Sequence, residues 1–168
     1  MNPAAAVVRE LPLVRVALVR EGRTVTTTLP SVLKPEEAAA LLAPLLRDRD
    51  REAFAVLLLD NAHRPLGVHI AHEGSLNECG VHPREVFKAA ILANAAAVIL
   101  AHNHPSGDPH PSPDDYALTR RLREAGALLG IDVLDHIVIG WRQAVSMKQA
   151  EVWSGPVAPL TFSFTGEE

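Results

Sequence analysis

The stretch Ala97-Val98-Ile99-Leu100-Ala101-His102-Asn103-His104-Pro105-Ser106-Gly107-Asp108-Pro109-His110-Pro111-Ser112-Pro113-Asp114-Asp115 decides the architecture. Its opening, Ala97 to Ala101, is an uninterrupted apolar run of strand length, suited to burial on both faces. Between His102 and Pro113 no regular structure can persist, because Pro105, Pro109, Pro111 and Pro113 lack a backbone donor and Gly107 adds a flexible point. Ser112-Pro113-Asp114-Asp115 has the form of a helix start, with a capping hydroxyl, proline in the first turn and acids at the positive end of the helix dipole. The pattern predicts a helix to about Leu129, ended by Gly130.

Outward from this stretch the same alternation recurs. Phe54 to Asp60 (FAVLLLD) is a second continuous apolar run, and Asn61 to Pro65 turns the chain into Leu66 to Ala71, so these two runs predict neighbouring central strands. Before them, Pro35-Glu36-Glu37 opens a short helix through the apolar run Ala38 to Leu46, with Pro44 kinking or ending it. His82-Pro83-Arg84-Glu85 opens another helix, expected to run to about Ala97 and feed directly into the strand. Ile131 to Gly140 reads as a strand and Gln143 to Met147 as a short one. Leu13 to Arg20 and Thr24 to Leu29 alternate and flank Glu21-Gly22-Arg23, which predicts a β-hairpin within residues 1–34. Val152 to Glu168 reads as a tail with few structural signals. Strands alternating with helices indicate an α/β layered fold.

Composition narrows the function classes. A length of 168 residues suits one domain with a self-sufficient core. Apolar content of 48% and charged content of 21% exclude a disordered or fibrous chain. Cys79 is the single cysteine, so neither an intramolecular disulfide framework nor a cysteine-rich zinc knuckle can form, and a reducing compartment is expected. Met1 to Leu13 lacks a basic n-region and carries Arg9 and Glu10 where an apolar core would stand, so neither a secretion signal nor a membrane anchor is read there. The most apolar stretch, Ala89 to Ala101, is broken by Asn94 and is too short for a bilayer. The expectation is a cytoplasmic protein. Twenty acidic against 16 basic side chains give a formal charge of −4, which disfavours binding to nucleic acid by phosphate neutralisation. The groups Arg47/Arg49/Arg51 and Arg120/Arg121/Arg123 are interleaved with acids or apolar residues and read as solvated faces.

Eight histidines are unusual in a chain of this size. His102 and His104 lie two apart at a strand end, where alternate side chains project to one side. Asp115, in the first turn of the next helix, returns a carboxylate to the same point. Two imidazoles and one carboxylate leave a fourth tetrahedral position open, the catalytic arrangement for zinc, and imidazole favours zinc over magnesium. Ser112 and Asp115 also fit an N-terminal capping box, an alternative that stays open. His63, His69 and His72 are explained by surface positions near a strand and turn, and His82 by a helix start. His110 is off the ligand pattern, and Asp135-His136 begins a buried strand and could orient a ligand by hydrogen bond.

His102-Asn103-His104-Pro105-Ser106-Gly107-Asp108-Pro109, with Pro111-Ser112 and Asp115, resembles the RadC family. It also fits the JAMM (MPN+/JAB) metalloprotease signature of H-x-H, seven residues, S, two residues and D. The resemblance extends from about Pro35 to Met147 and includes His82 to Lys88 (HPREVFK) and Leu134 to Gly140. It implies a three-layer α-β-α fold with a mixed central sheet, similar to cytidine deaminases, over residues 35–150. That domain would be flanked by the 1–34 hairpin extension and a 151–168 tail. It implies one Zn2+ held by His102, His104 and Asp115, with Ser112 stabilising an oxyanion and Glu52, just before the FAVLLLD strand, as general base. Glu85 is a competing base, although its place at a helix start gives it a structural role. Usual members resemble a helical DNA-binding-like region joined to this domain, and the hairpin expected here departs from that pattern.

The leading expectation is a zinc metallohydrolase, a peptidase or isopeptidase acting on a peptide or protein through metal-activated water. A DNA-repair or nucleic-acid-processing accessory protein is the second reading, disfavoured by the acidic balance and the single-metal ligand set. A non-catalytic scaffold is the third, and the chain keeps all three ligands that such a scaffold would lose. A zinc deaminase is excluded by the absent P-C-x-x-C pair. Oligomeric state is not encoded in any motif.

Overall fold

Strand β1, Ala53–Leu59, is buried along its whole length, and the alternation of its side chains divides the core in two. In the computed structural model, which describes residues 15, 17–20, 22, 24–74 and 80–150 and the backbone of 161–163, Ala55, Leu57 and Leu59 face one apolar cluster. Phe54, Val56 and Leu58 face the other. Strand β3, Ala97–Asn103, alternates likewise: Ala97, Ile99 and Ala101 join the first cluster, Val98 and Leu100 the second. Helix α1, Pro35–Leu46, covers the first face through Leu42 and Leu46 and the small side chains of Ala38, Ala39 and Ala43. Helices α2, Pro83–Leu92, and α3, Pro113–Leu129, cover the second through Val86, Phe87, Ala90 and Leu122. Helices on both faces of one sheet make the three-layer α-β-α fold that the resemblance implied.

The sheet is mixed. With β2 (Pro65–Glu73), β4 (Asp132–Ile139), β5 (Gln143–Ser146) and β6 (Thr161–Ser163), its order is β2-β1-β3-β4-β5-β6. Among the described residues only β3 and β4 pair in parallel, joined by the crossover through α3 that a parallel pair needs. Antiparallel register sets Phe54 opposite His102, so the start of β1 lies beside the end of β3.

Several local expectations are corrected. Strand β2 is the sheet edge rather than a central strand, and most of it is only partly buried. Helix α1 continues two residues past Pro44: a proline this near the end removes one backbone bond, and the acceptor it leaves belongs to exposed Ala40. Helix α2 stops at Leu92 because Asn94 takes φ +51°, a left-handed conformation that ends the helix before the strand begins. Strand β3 runs on to Asn103 and so includes His102. The tail contributes β6, paired with β5. In the expected hairpin, Arg15, Ala17 to Arg20, Gly22 and Thr24 to Leu29 form no strand, and its remaining positions lie outside the described residues. Leu18 and Val19 are exposed, whereas Val25 and Leu29 pack partly buried against the α1-side cluster, so the two halves of the pattern share no buried face, and an isolated two-stranded ribbon is marginal in water.

Gly126 shows how tightly the second layer closes on the sheet. A Cβ there would lie 2.5 Å from the Ile131 carbonyl oxygen and 3.1 Å from Phe87 Cζ. Helix propensity alone favours Gly126→Ala by about 1 kcal/mol. The backbone clash reverses that sign, so thermal denaturation of Gly126→Ala should show a loss of about 1–3 kcal/mol.

Candidate metal centre

Each member of the cluster is placed by a different part of the fold. His102 is the last but one residue of β3 and is fully buried, His104 follows just beyond the strand, and Asp115 is 4% exposed in the first turn of α3. The loop between them is pinned to the end of β4: His104 N–H donates to the Ile139 carbonyl at 3.0 Å and Trp141 N–H to that of Gly107 at 3.3 Å. Gly107 has φ +84°, and a Cβ there would lie 2.5 Å from the Trp141 ring, so the turn requires glycine.

The three side chains meet. His102 Nε2 lies 3.0 Å from His104 Nε2 and 3.1 Å from Asp115 Oδ1, and His104 Nε2 is 3.5 Å from Asp115 Oδ2. His104 Nδ1 is 2.7 Å from the Asp108 carbonyl oxygen, which has no proton to give, so Nδ1 is the donor and the neutral ring turns a bare Nε2 toward the cluster. Such a set fits a cation. Ligand atoms about 2.0–2.1 Å from a tetrahedral zinc are roughly 3.3 Å from one another, close to the separations here. Among the described residues, His102, His104 and Asp115 form the group of this kind able to hold a metal ion.

Electrostatics agree with an anionic ligand. Burial opposes ionisation of Asp115, but the hydrogen bonds that His102 and His104 give it when their Nε2 carries a proton, with that from Ser112, outweigh it and hold its carboxyl well below the usual carboxylate range. The same Asp115 hydrogen bond is the largest influence raising the His104 pKa, with burial acting against it and the Glu52 charge adding a smaller push upward. Ser112 forms the capping box with Asp115: its Oγ accepts from Asp115 N–H at 3.2 Å, while its N–H and hydroxyl donate to Oδ2 at 2.7 and 2.6 Å. The capping and ligand readings of Asp115 are therefore compatible, because Oδ2 serves the cap and leaves Oδ1 toward His102.

Glu52 stands half-buried immediately before β1, near enough for its charge to act on His104. Asn103 holds its backbone from both sides, accepting from Ala53 N–H at 2.8 Å and donating to the Arg51 carbonyl at 3.1 Å. Glu85 instead pairs with Lys88 and Arg84 on its own helix. Of the remaining histidines, His82 caps α2, accepting from Arg84 N–H, and His110 pairs with Asp108. His69 and His72 are half-buried on β2 rather than at the surface. Arg49 pairs with Glu73, and Arg121 donates to the Val81 carbonyl, in keeping with structural roles for both arginine groups. The motif reading missed Asn103 and Thr119. Asn103 lies between the two histidines, facing the other way, and Thr119 repeats the helix face of Asp115 four residues on, a spacing visible in the sequence.

Ligation needs unprotonated imidazoles, so protons compete with metal. Since the His104 pKa is raised, that competition reaches above the ordinary imidazole range. Calorimetric titration with Zn2+ should give one ion per chain, with affinity climbing as pH rises through and beyond that range, and Asp115→Asn should weaken it at every pH.

Comparison with known proteins places this geometry. Residues 32–152 match the model of the RadC-like JAB domain. The chain is 55% identical over 119 residues to a UPF0758 protein of Desulforudis audaxviator, covering 71% of this chain and 52% of that one. It is 49% identical over 117 residues to a UPF0758 protein of Methanosarcina acetivorans, covering 70% and 51%. It thus spans about half the length of the curated relatives it matches. No helix among the described residues is long and apolar enough to cross a membrane. With the domain match covering most of the chain and the motif's two histidines and aspartate drawn together at the end of β3, the chain belongs to the RadC-like JAB domain family.

Proposed function

We propose that this domain is a zinc-dependent hydrolase of amide bonds, a peptidase or isopeptidase acting on a peptide or protein. The observation that carries the reading is the convergence of His102, His104 and Asp115 beside a carboxylate, Glu52, whose backbone is clamped by Asn103. The two histidines and Asp115 would hold the ion, which when bound supplies Lewis acidity and lowers the pKa of water to about 7.

The chain's own residues supply the rest. Glu52 is half-buried, where its carboxylate can take a proton from the attacking water and hand it to the departing amine. Ser112 is close enough to serve the oxygen that gains negative charge, provided its hydroxyl turns away from Asp115 Oδ2. Phe54 stacks near-parallel to His102 at 7°, with ring centroids 6.2 Å apart, and meets His136 edge-on, keeping that side of the centre apolar.

Glu52→Gln keeps the shape and removes the base. In a cleavage screen over peptide, isopeptide and DNA substrates it should lower turnover of the amide substrate by roughly 10²–10⁴-fold while the protein retains its Zn2+. Cleavage of DNA alone, or no cleavage of any substrate by the wild-type chain, would count against the amide-hydrolase reading.

Ser112→Ala separates the two uses of that hydroxyl. Loss of the cap should cost about 1 kcal/mol in denaturation. A fall in kcat well beyond what that destabilisation explains is the expected result, and unchanged kcat would limit Ser112 to capping.

A further inference from the structure

His102 has a second ring nitrogen, and what it touches is not accounted for by the proposed reaction. Its Nδ1 lies 2.8 Å from Nε2 of His136, a fully buried residue of β4. His136 Nδ1 in turn lies 2.5 Å from the hydroxyl of Thr119, 2% exposed on α3, and that hydroxyl lies 2.6 Å from the backbone carbonyl oxygen of Asp115. The chain of contacts therefore leaves one cluster residue, passes through β4 and α3, and returns to another.

Hydrogen positions along it follow from the end that lies on the Asp115 backbone carbonyl. A carbonyl has no proton, so at 2.6 Å the Thr119 hydroxyl proton must point at Asp115. The Thr119 oxygen then has only lone pairs left for His136, which makes His136 Nδ1 the donor. A neutral imidazole carries one N–H, so His136 Nε2 is bare and can only accept, which makes His102 Nδ1 the donor in its turn. His136 has the setting of a neutral ring, enclosed by His102, Thr119 and the edge-on Phe54 ring. The outcome at the far end is that His102 Nε2 carries a lone pair and faces His104 Nε2 and Asp115 Oδ1.

We infer that Thr119 and His136 are positioning residues that hold His102 in the Nδ1–H tautomer, so that its Nε2 is presented to the cluster as a ready ligand. The inference rests on the metal-centre reading for its purpose; in the chain without metal the Asp115 carboxylate, 3.1 Å from His102 Nε2, competes for the ring proton, and the Thr119–His136 contacts are what keep it on Nδ1. Neither residue touches the cluster's ligand atoms. Each acts through a ring whose free rotation or tautomer exchange would otherwise leave a proton on the wrong nitrogen, and partners of this kind are commonly worth 10–100-fold in metal affinity. His104 obtains the same result more simply, from the Asp108 carbonyl.

The test uses the full chain, 15N-labelled at histidine and stripped of metal. Long-range 15N–1H correlation should show His102 and His136 both protonated at Nδ1 and bare at Nε2. Protonation of His102 at Nε2 instead would overturn the inference. Zn2+ affinity, measured by competition with a chromogenic chelator, should fall roughly 10–100-fold in Thr119→Val, which keeps the shape but loses the hydroxyl. Thr119→Ser should restore it to within about threefold, a rescue expected only if the hydroxyl matters as a hydrogen-bonding group. Equal affinity of wild-type and a folded Thr119→Val would also overturn it. If Thr119→Val does not fold, the wild-type tautomer and the Thr119→Ser affinity decide. Wild-type protein with the expected tautomer but no Zn2+ uptake would uphold the tautomer assignment and sink the metallohydrolase reading, so the two failures are distinguishable.

Discussion

Two imidazole nitrogens and the two oxygens of one carboxylate, facing one another at 3.0–3.5 Å, repel unless a proton or a metal cation lies among them. Much of the surrounding structure serves to hold that arrangement. The repulsion is resisted by two rigid elements, the last residues of a buried strand and the first turn of a helix, joined by a loop that β4 ties down. Asp108 and the Thr119–His136 pair fix how the two rings are turned, and the Ser112 cap restrains Asp115.

The layering explains why the centre can be both buried and reachable. Residues of one parity on β1 and β3 fill the α1 side, and those of the other parity fill the α2–α3 side, so His102 follows Val98 and Leu100 onto the second face at the point where the apolar core gives out. His104, two residues on, is only partly buried. Phe54 closes the inner side and Glu52 stands two residues before it at the outer side. The short stretch that leads into β1 therefore contributes both a carboxylate and an apolar wall.

Much of this was legible in the sequence because the signals are local. Four prolines between His102 and Pro113 dictate a loop, Ser112 to Asp115 dictates a helix start, and H-x-H at a strand end places two rings on one side. Boundaries were less legible where a single residue's backbone decided them: Asn94, a residue type that tolerates the left-handed conformation, is the signal that ends α2, although its type alone does not fix that conformation, and Pro44 sits too close to its helix end to break it. In the hairpin expected before residue 35, the described positions form no strand for a different reason, since alternation specifies a strand only where a surface exists to bury one face, and Leu18 and Val19 are exposed.

Residue types and spacing by themselves determined the donor set, the loop that carries it and the alternation of strands and helices. Only the tertiary structure decided which strand lies at the edge, that Asn103 brackets Glu52 from across the sheet, and that His136 on β4 and Thr119 on α3 meet behind His102. Those contacts join residues 17 to 52 positions apart. Spacing speaks for neighbours along a helix or strand, whereas strand order and helix placement are settled by how the whole chain buries its apolar surface.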